Sequence, residues 1–514
     1  MNSTITSSKR LNLASSAIPY AYLLRIFFAG ILIPFGFAPF HFPGLTILGM
    51  ALLYAELQGK SLKQSLLTGF IFGLGFMGLG VSWIYVSIHA YGHLNTILSA
   101  LITTVFIGYI ALFPALISGL YHHLAKTRSP IFLCCLFSAL WCVGEFLRST
   151  CLGGFPWLLL GFGQMDTPLK YLLPIIGVYG VGFFTCLAAT FLVSSTQTQP
   201  FKFKIIWLFA FIAILLIPTS LKSIHWSEIK SKPLSVGVIQ ANLSMRDKWD
   251  ETIFWQLLKR YQHDANALIG KKQLIVMPES AIPVPANYVG DFLEGLNQSA
   301  KHAGSTLLLG IPQATTSDET EYYNTLTTLG LGKGSYMKQH LVPFGEYIPG
   351  PFQRMMSWLN LPTSNMRAGR AHQSLITVQK HPIATLICYE LAYPELLRNQ
   401  LPRAEWIVSI SDDGWFGHSL AVHQQLQMAQ ALSIQTGRYQ VLANNDGLSS
   451  IIDNHGNLSE SLPAFSSGVL EGMIYPATGA SPWVVVGDQP ILFLSLCIGL
   501  IAFFKQRRYP YQST

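Results

Sequence analysis

The stretch 385–395, TLICYELAYPE, places a cysteine at the end of a short apolar run. The 514-residue chain has seven cysteines, at 134, 135, 142, 151, 186, 388 and 497. Six lie in or beside long apolar segments. Cys388 lies far from any of them, in the most polar part of the chain. The segment IATLICYE reads as a strand, and an unbroken apolar run is what a strand covered on both faces requires. The residues around it therefore decide both the fold and the use of the thiol.

Working outward, the composition is unusual for a water-soluble protein. Hydrophobic residues make up 50% and charged residues 11%, and the mean hydropathy is +0.39. An ordinary soluble domain is about 25% charged, so much of this chain is expected to face lipid. The net charge of +8 does not form a patch interleaved with aromatics, which argues against nucleic acid. The basic residues fall in short clusters beside apolar runs, where membrane orientation places them.

Segments near 22–38, 43–57, 64–89, 94–122, 129–149, 168–194, 203–220 and 488–504 read as spans, each close to the roughly 20 apolar residues needed to cross a bilayer. The first two are short and broken by Pro34, Pro39 and Pro43, as in a bent hairpin. Lys9 and Arg10, Lys60 and Lys63, Lys126 and Arg128, Lys202 and Lys204, and Lys505, Arg507 and Arg508 fall in alternate connections. The intervening PFHFPG (39–44) and HAYGHLN (89–95) carry no Lys or Arg. The positive-inside rule then puts both termini on the cytoplasmic side of the membrane. The expected organisation is a seven-span bundle over 1–221, an exported domain over 222–486, and a last span with a basic tail over 487–514. The apolar stretch from Ala21 lacks a small-x-small cleavage site and does not read as a signal peptide.

Outside the cytoplasm, paired cysteines become structural disulfides. The exported segment has one cysteine and hence no intramolecular partner there. Two readings stay open on that count, an inert core residue and a reactive nucleophile.

Within 222–486 the pattern alternates. LSVGVIQAN, KQLIVMPE, STLLLGIPQ, YYNTLTTLG, SYMKQHL, ITVQK, IATLICYE, EWIVSIS, YQVLANN, LSSIID and GVLEGMI read as strands. ETIFWQLLKRYQHDANALIG, DFLEGLNQSAKHAG, PELLRNQ and HQQLQMAQALSIQTG read as helices. Apolar strands alternating with helices indicate layered α/β sheets covered on their faces. Chemistry in such domains collects at the C-terminal ends of strands. Glu279 and Cys388 sit at such ends, while Lys338 reads as lying within its strand. A glutamate in the apolar frame LIVMPESAIP suits a general base. A lysine cation favours a thiolate and stabilises an oxyanion. Glu279, Lys338 and Cys388 are thus a coherent set for acyl transfer.

The frames MPESAIP, YMKQHLVPFGEYIPG and CYELAYPE resemble the three motifs of the nitrilase superfamily. With the apolar N-terminal half and the last apolar segment, the whole chain resembles its membrane-bound branch, the apolipoprotein N-acyltransferase family. The most specific piece is the nine-residue frame KQHLVPFGE at 338–346. The resemblance implies a nitrilase-like αββα sandwich on an eight-span bundle. It implies transfer of an acyl chain from a phospholipid, through a Cys388 thioester, to the N-terminal amine of a diacylglyceryl apolipoprotein. It further implies Glu279 as base, Lys338 at the oxyanion, and Glu346 as the glutamate that positions the lysine. Tyr389 and Glu390 match residues needed for activity or for the acceptor step, facing the incoming lipid and amine. Trp249 matches an aromatic near the lipid site. No cofactor or metal is implied, and the chain is expected to act as a monomer. The same set also serves a membrane-tethered amidase, although a soluble substrate needs no bundle. A transporter with an outer domain is disfavoured, because the spans hold almost no charge.

The chain departs from that pattern at Leu432 and Gln435, where Arg and Glu are usual, and in LANNDG at 442–447. Segment 351–362, PFQRMMSWLNLP, reads either as a loop dipping toward lipid or as a core-facing helix. Glu145 and Arg148 read either as functional charges at membrane depth or as an i,i+3 pair at its edge. Asn324 reads either as a site residue or as a strand-edge asparagine. The glycines at 69–80 indicate close helix packing. His418, His423, His122, His123 and His340 have no zinc-site spacing.

Overall fold

The computed structural model describes residues 19–508 except 93, 127–128, 230, 245–247, 249, 251, 316–320, 351–353 and 355–365. Trp249 and the 351–362 segment apart from Arg354 therefore lie outside the described residues, as do Lys9, Arg10 and Arg128.

Every expected apolar segment forms a helix: Tyr20–Ile31, Pro43–Glu56, Leu62–Gly80, Thr96–Leu124, Pro130–Thr150, Leu173–Thr196, Phe201–Leu216 and Gln489–Arg508. Among the described residues, five helical segments are long and apolar enough to cross a membrane. They are Leu62–Gly80, Thr96–Leu124, Pro130–Gly153, Pro168–Thr196 and Phe201–Leu221. The apolar segments Tyr20–Gly36, Pro43–Glu56 and Gln489–Lys505 are shorter. The third helix stops at Gly80, well short of 89, because Val81 leaves helical geometry at φ −129°. The glycines of 69–80 let helices touch backbone to backbone. A Cβ on Gly75 would lie 2.1 Å from the Phe27 carbonyl oxygen, and one on Gly30 2.1 Å from that of Phe72.

Residues 227–479 carry the strands. In one six-stranded sheet the spatial order is Gly468–Ile474, Leu234–Gln240, Leu274–Val276, Thr306–Ala314, Tyr322–Gly330 and Ser335–Met337. In the other it is Leu458–Ser461, Ser450–Ile452, Gln440–Asn444, Trp406–Ser411, His381–Ile387 and Ile376–Val378. Each sheet has three central parallel strands with antiparallel neighbours outside them. Alternate side chains separate the layers, as strand geometry requires. Leu234, Val236 and Val238 meet Trp406, Val408 and Ile410 between the sheets. Ile239, Ile275 and Leu307 face outward onto helices Phe254–Leu268 and Gly290–His302. Each such buried aliphatic contributes roughly 1.5–3 kcal/mol, so the sandwich is held mainly by its inner layer and one helical cover per face.

The outer cover of the second sheet is Leu420–Thr436, a helix buried nearly all round. Leu426, Ala429 and Leu432 pack on that sheet. Ala421, Met428, Ala431 and Ile434 join the core of the helical half. One helix thus belongs to both cores. Its glutamines meet polar groups of the helical half: Trp157 Nε1 donates to Gln424 Oε1 (2.6 Å), and Gln424 Nε2 donates to the Gly80 carbonyl (3.2 Å). The latter answers a carbonyl orphaned at a helix end.

Candidate active site

Three strand ends converge. Glu279 lies three residues beyond Leu274–Val276, Lys338 directly follows Ser335–Met337, and Cys388 directly follows His381–Ile387. Lys338 is therefore a strand-end residue rather than a mid-strand one. The Lys338 backbone N–H donates to the Asn324 carbonyl (2.8 Å), in register with the antiparallel pairing of the strand before it. The first two residues come from one sheet and the cysteine from the other.

Cys388 has φ +54°, a left-handed conformation that costs a non-glycine residue about 1–2 kcal/mol. It opens the tight turn Cys388–Ala392, which Glu390 secures. Glu390 accepts from the N–H of Ile387 (2.8 Å), Gln339 (2.6 Å) and His340 (3.0 Å), and the Tyr336 hydroxyl lies 3.1 Å from both its oxygens. Its carboxylate ties the turn of the cysteine to the loop of the lysine. It is fully buried and taken up by protein donors, rather than turned toward an incoming amine.

Lys338 is 1% exposed, with Nζ 2.9 Å from Glu346 Oε1 and 3.2 Å from Glu279 Oε1. Asn324 Nδ2 donates to the same two oxygens at 3.1 and 2.7 Å, so its side chain lies among the candidate site residues. The Val342 N–H fixes the other Glu346 oxygen (2.8 Å). Burial alone would discharge the amine. The carboxylates of Glu279 and Glu346 outweigh it and hold Lys338 protonated well above the ordinary lysine range.

The Cys388 thiol is pushed well above its ordinary range, first by burial and then by the Glu279 carboxylate. The Lys338 ammonium and the Ser411 hydroxyl pull it the other way. The resting group is thus a neutral thiol, and its reaction needs a base within reach.

Tyr389 and Tyr393 join this turn to the helical half. Tyr389 donates to the Gly154 carbonyl (3.1 Å), Tyr393 donates to that of Gly153 (3.2 Å), and the Tyr393 ring lies tilted against His340 with ring centres 3.7 Å apart. Gly154 has φ +76°, and a Cβ there would strike the Ser149 oxygen at 2.0 Å. The segment after it, Phe155–Leu160 in sequence order, is apolar and buried though not helical. Arg148 donates to the carbonyls of Phe155 (2.8 Å) and Trp157 (2.6 Å), and Glu145 accepts from the Leu160 N–H (2.9 Å). Both charges serve the backbone of a buried irregular segment, the circumstance in which charge at membrane depth is tolerated.

Residues 29–191 match the family model described as apolipoprotein N-acyltransferase N-terminal domain, and residues 235–481 match that of carbon-nitrogen hydrolase. The apolipoprotein N-acyltransferase of Methylococcus capsulatus is 34% identical over 484 residues, covering 93% of this chain and 95% of its own. That of Coxiella burnetii is 34% identical over 479 residues, covering 92% and 98%. The chain belongs to the apolipoprotein N-acyltransferase family. Its two sheets are the nitrilase-like fold of the carbon-nitrogen hydrolases, joined to a helical N-terminal region. An amidase from Nesterenkonia sp. aligns with 48% of this chain and 92% of its own at 16% identity and a TM-score of 0.35, a distance at which no residue role is carried across.

In this family member, the departure at Leu432 lies in the outer apolar layer with Leu397 and Trp483. Gln435 is buried with both side-chain polar atoms unpartnered. The LANNDG departure reaches the site, since Asn445 Nδ2 donates to Asp412 Oδ1 (3.1 Å), and the Asp412 backbone N–H donates to Glu279 Oε2 (3.1 Å). Lys248 and Asp412 are not among the residues expected at the site; both are buried, which their sequence frames do not show.

Burial pushes Glu390 up to about 7, against the N–H donors that favour its ionised form. A raised carboxylate means that the folded protein keeps a proton which the unfolded chain loses. That contribution is present below about pH 4.5 and lost as pH rises through about 7. Glu390→Gln is expected to remove this decline, a difference of up to about 3 kcal/mol across the window. Unfolding midpoints of the two proteins from about pH 4.5 to about pH 8 measure it.

Proposed function

We propose that this chain transfers an acyl chain from a phospholipid to the N-terminal amine of the S-diacylglyceryl cysteine of an apolipoprotein, by way of a thioester on Cys388. One observation carries the reading beyond family membership: three strand ends bring Glu279, Lys338 and Cys388 together, all buried, with Lys338 Nζ 3.2 Å from Glu279 Oε1. Glu279 takes the thiol proton as Sγ bonds to the ester carbonyl carbon. The resulting oxyanion is stabilised by Lys338 and a backbone N–H after the cysteine, each such donor worth about 2.7–4 kcal/mol. The ester C–O bond breaks, and the lysophospholipid leaves with the proton held by Glu279. The acceptor amine then attacks the thioester and gives its proton to Glu279. The C–S bond breaks, and the thiolate regains that proton. Two half-reactions on one base and one nucleophile imply ping-pong kinetics.

The bilayer supplies the donor in this reading. Residues 1–221 form seven spans and 487–514 an eighth, with the catalytic 222–486 on the periplasmic side and both termini in the cytoplasm. The apolar helices support it, above all Phe201–Leu216, which has no buried residue and exposes Phe201, Ile206 and Phe209. Glu346 positions Lys338. Tyr389 holds the nucleophile's turn against the helical half, and Trp249 contributes to the lipid site by family resemblance.

The test is transfer in vesicles of phospholipid labelled in its acyl chain, with a diacylglyceryl-cysteine peptide as acceptor. The label is expected on the peptide amine. Free labelled fatty acid with an unmodified peptide would instead identify a hydrolase.

A further inference from the structure

Glu279 is gripped by a second buried cation. The Lys248 side chain is 1% exposed and that of Asp412 4% exposed, and the two form an ion pair. A lysine is rarely buried without a counter-charge, and such a pair is weak evidence of a stabilising role. Its placement asks for another account. Lys248 Nζ also donates to the backbone carbonyl of Glu279 at 3.0 Å. The backbone N–H of Asp412 donates to Glu279 Oε2 at 3.1 Å. Asp412 Oδ1 is in turn held by the Gly414 N–H (3.3 Å) and Asn445 Nδ2 (3.1 Å).

We propose that the Lys248–Asp412 pair is a positioning clamp for Glu279, separate from the Lys338 side of the site. Lys338 and Asn324 hold Oε1; Asp412 holds Oε2, and Lys248 holds the main chain behind them. The main chain needs holding. Ser280 follows at φ +45°, so the Glu279–Ser280 peptide is set in a sparsely populated conformation that its surroundings must enforce. The clamp also crosses the sandwich. Glu279 belongs to the first sheet, whereas Asp412 directly follows Trp406–Ser411 of the second, the sheet that carries Cys388. It therefore sets how far the base stands from the thiol, a distance that must be about 2.6–3.2 Å for proton transfer.

The proposal rests on the reading of Glu279 as the base. The decisive variant is the double replacement Lys248→Met with Asp412→Asn, which removes both charges of the pair and keeps the Asp412 backbone N–H. Thioester formation and amine transfer are both expected to slow by the same factor, about tenfold to hundredfold, with KM for the phospholipid unchanged. Lys248→Met alone is expected to lower the unfolding temperature as well, and adding Asp412→Asn to restore the temperature but not the rate. Should the double variant fail to fold, Asp412→Asn alone, which loosens the anchor of Lys248, is expected to slow both steps several-fold at constant KM. A wild-type rate in whichever of these folds would overturn the clamp. Glu279→Gln separates the two failures. If it keeps its rate, the base reading is wrong; if it is inactive while the double variant is fully active, the clamp alone is wrong. In the Glu279→Gln background, removing the pair should slow nothing further.

Discussion

Lys338→Met is expected to slow both half-reactions by about 10³-fold or more. Two losses combine. Removing one preorganised oxyanion donor typically costs 10²–10³ in rate. The ammonium also stands between Glu279 Oε1 and Glu346 Oε1, both bridged by Asn324. Without it the two carboxylates face each other in a dry site, where one of them must take up a proton. A protonated Glu279 is no longer a base. The same change breaks a buried ionic triad, which costs about 3–5 kcal/mol of stability. Adding Glu346→Gln should recover part of that stability and little of the rate. Single-turnover transfer and unfolding midpoints separate the two effects, and a near-normal rate in Lys338→Met would remove the lysine from the chemistry.

Cys388→Ala is expected to lose the reaction altogether while keeping the fold. Knocking out the nucleophile of a catalytic set costs on the order of 10⁶ in kcat in the best-studied hydrolases. In the proposed route the remaining machinery cannot compensate, because both half-reactions pass through the sulfur. Stability is expected to change little, since alanine replaces a small buried side chain and keeps the same strained backbone, held by Glu390 from below. Loss of activity with an unchanged unfolding midpoint distinguishes chemistry from collapse. A folded Cys388→Ala protein that still acylates the peptide would exclude a thioester route.

Much of the fold was legible because two periodicities were clean. The apolar segments gave the helices to within a few residues, apart from the first, which ends at Ile31 rather than 38, and the third, where Val81 ends the helix early. The strand-helix alternation over 222–486 marked out both sheets except the edge strand Leu458–Ser461, whose four residues are all exposed and carry no apolar run. Local patterns say little about how layers meet. Leu420–Thr436 reads as a helix, yet nothing in its residues says that it serves two cores at once. Phe155–Leu160 falls between two expected spans with no structure foreseen for it, and its backbone is met by Arg148 and Glu145 of the preceding helix. At the site, Glu279, Lys338 and Cys388 were readable from their frames. Glu390 was noticed for its place beside the cysteine, but its part as a clasp between two loops exists only in three dimensions. Lys248 was invisible for the same reason, since a lysine's charge points to solvent until its surroundings are known.

The central claim is a covalent one. Purified protein incubated with phospholipid, and no acceptor, should gain the mass of one acyl chain, on Cys388 by peptide mapping. The adduct should be absent from Cys388→Ala and be discharged by a diacylglyceryl-cysteine peptide. An unchanged mass in a protein that still acylates the peptide when both substrates are present would contradict the thioester mechanism.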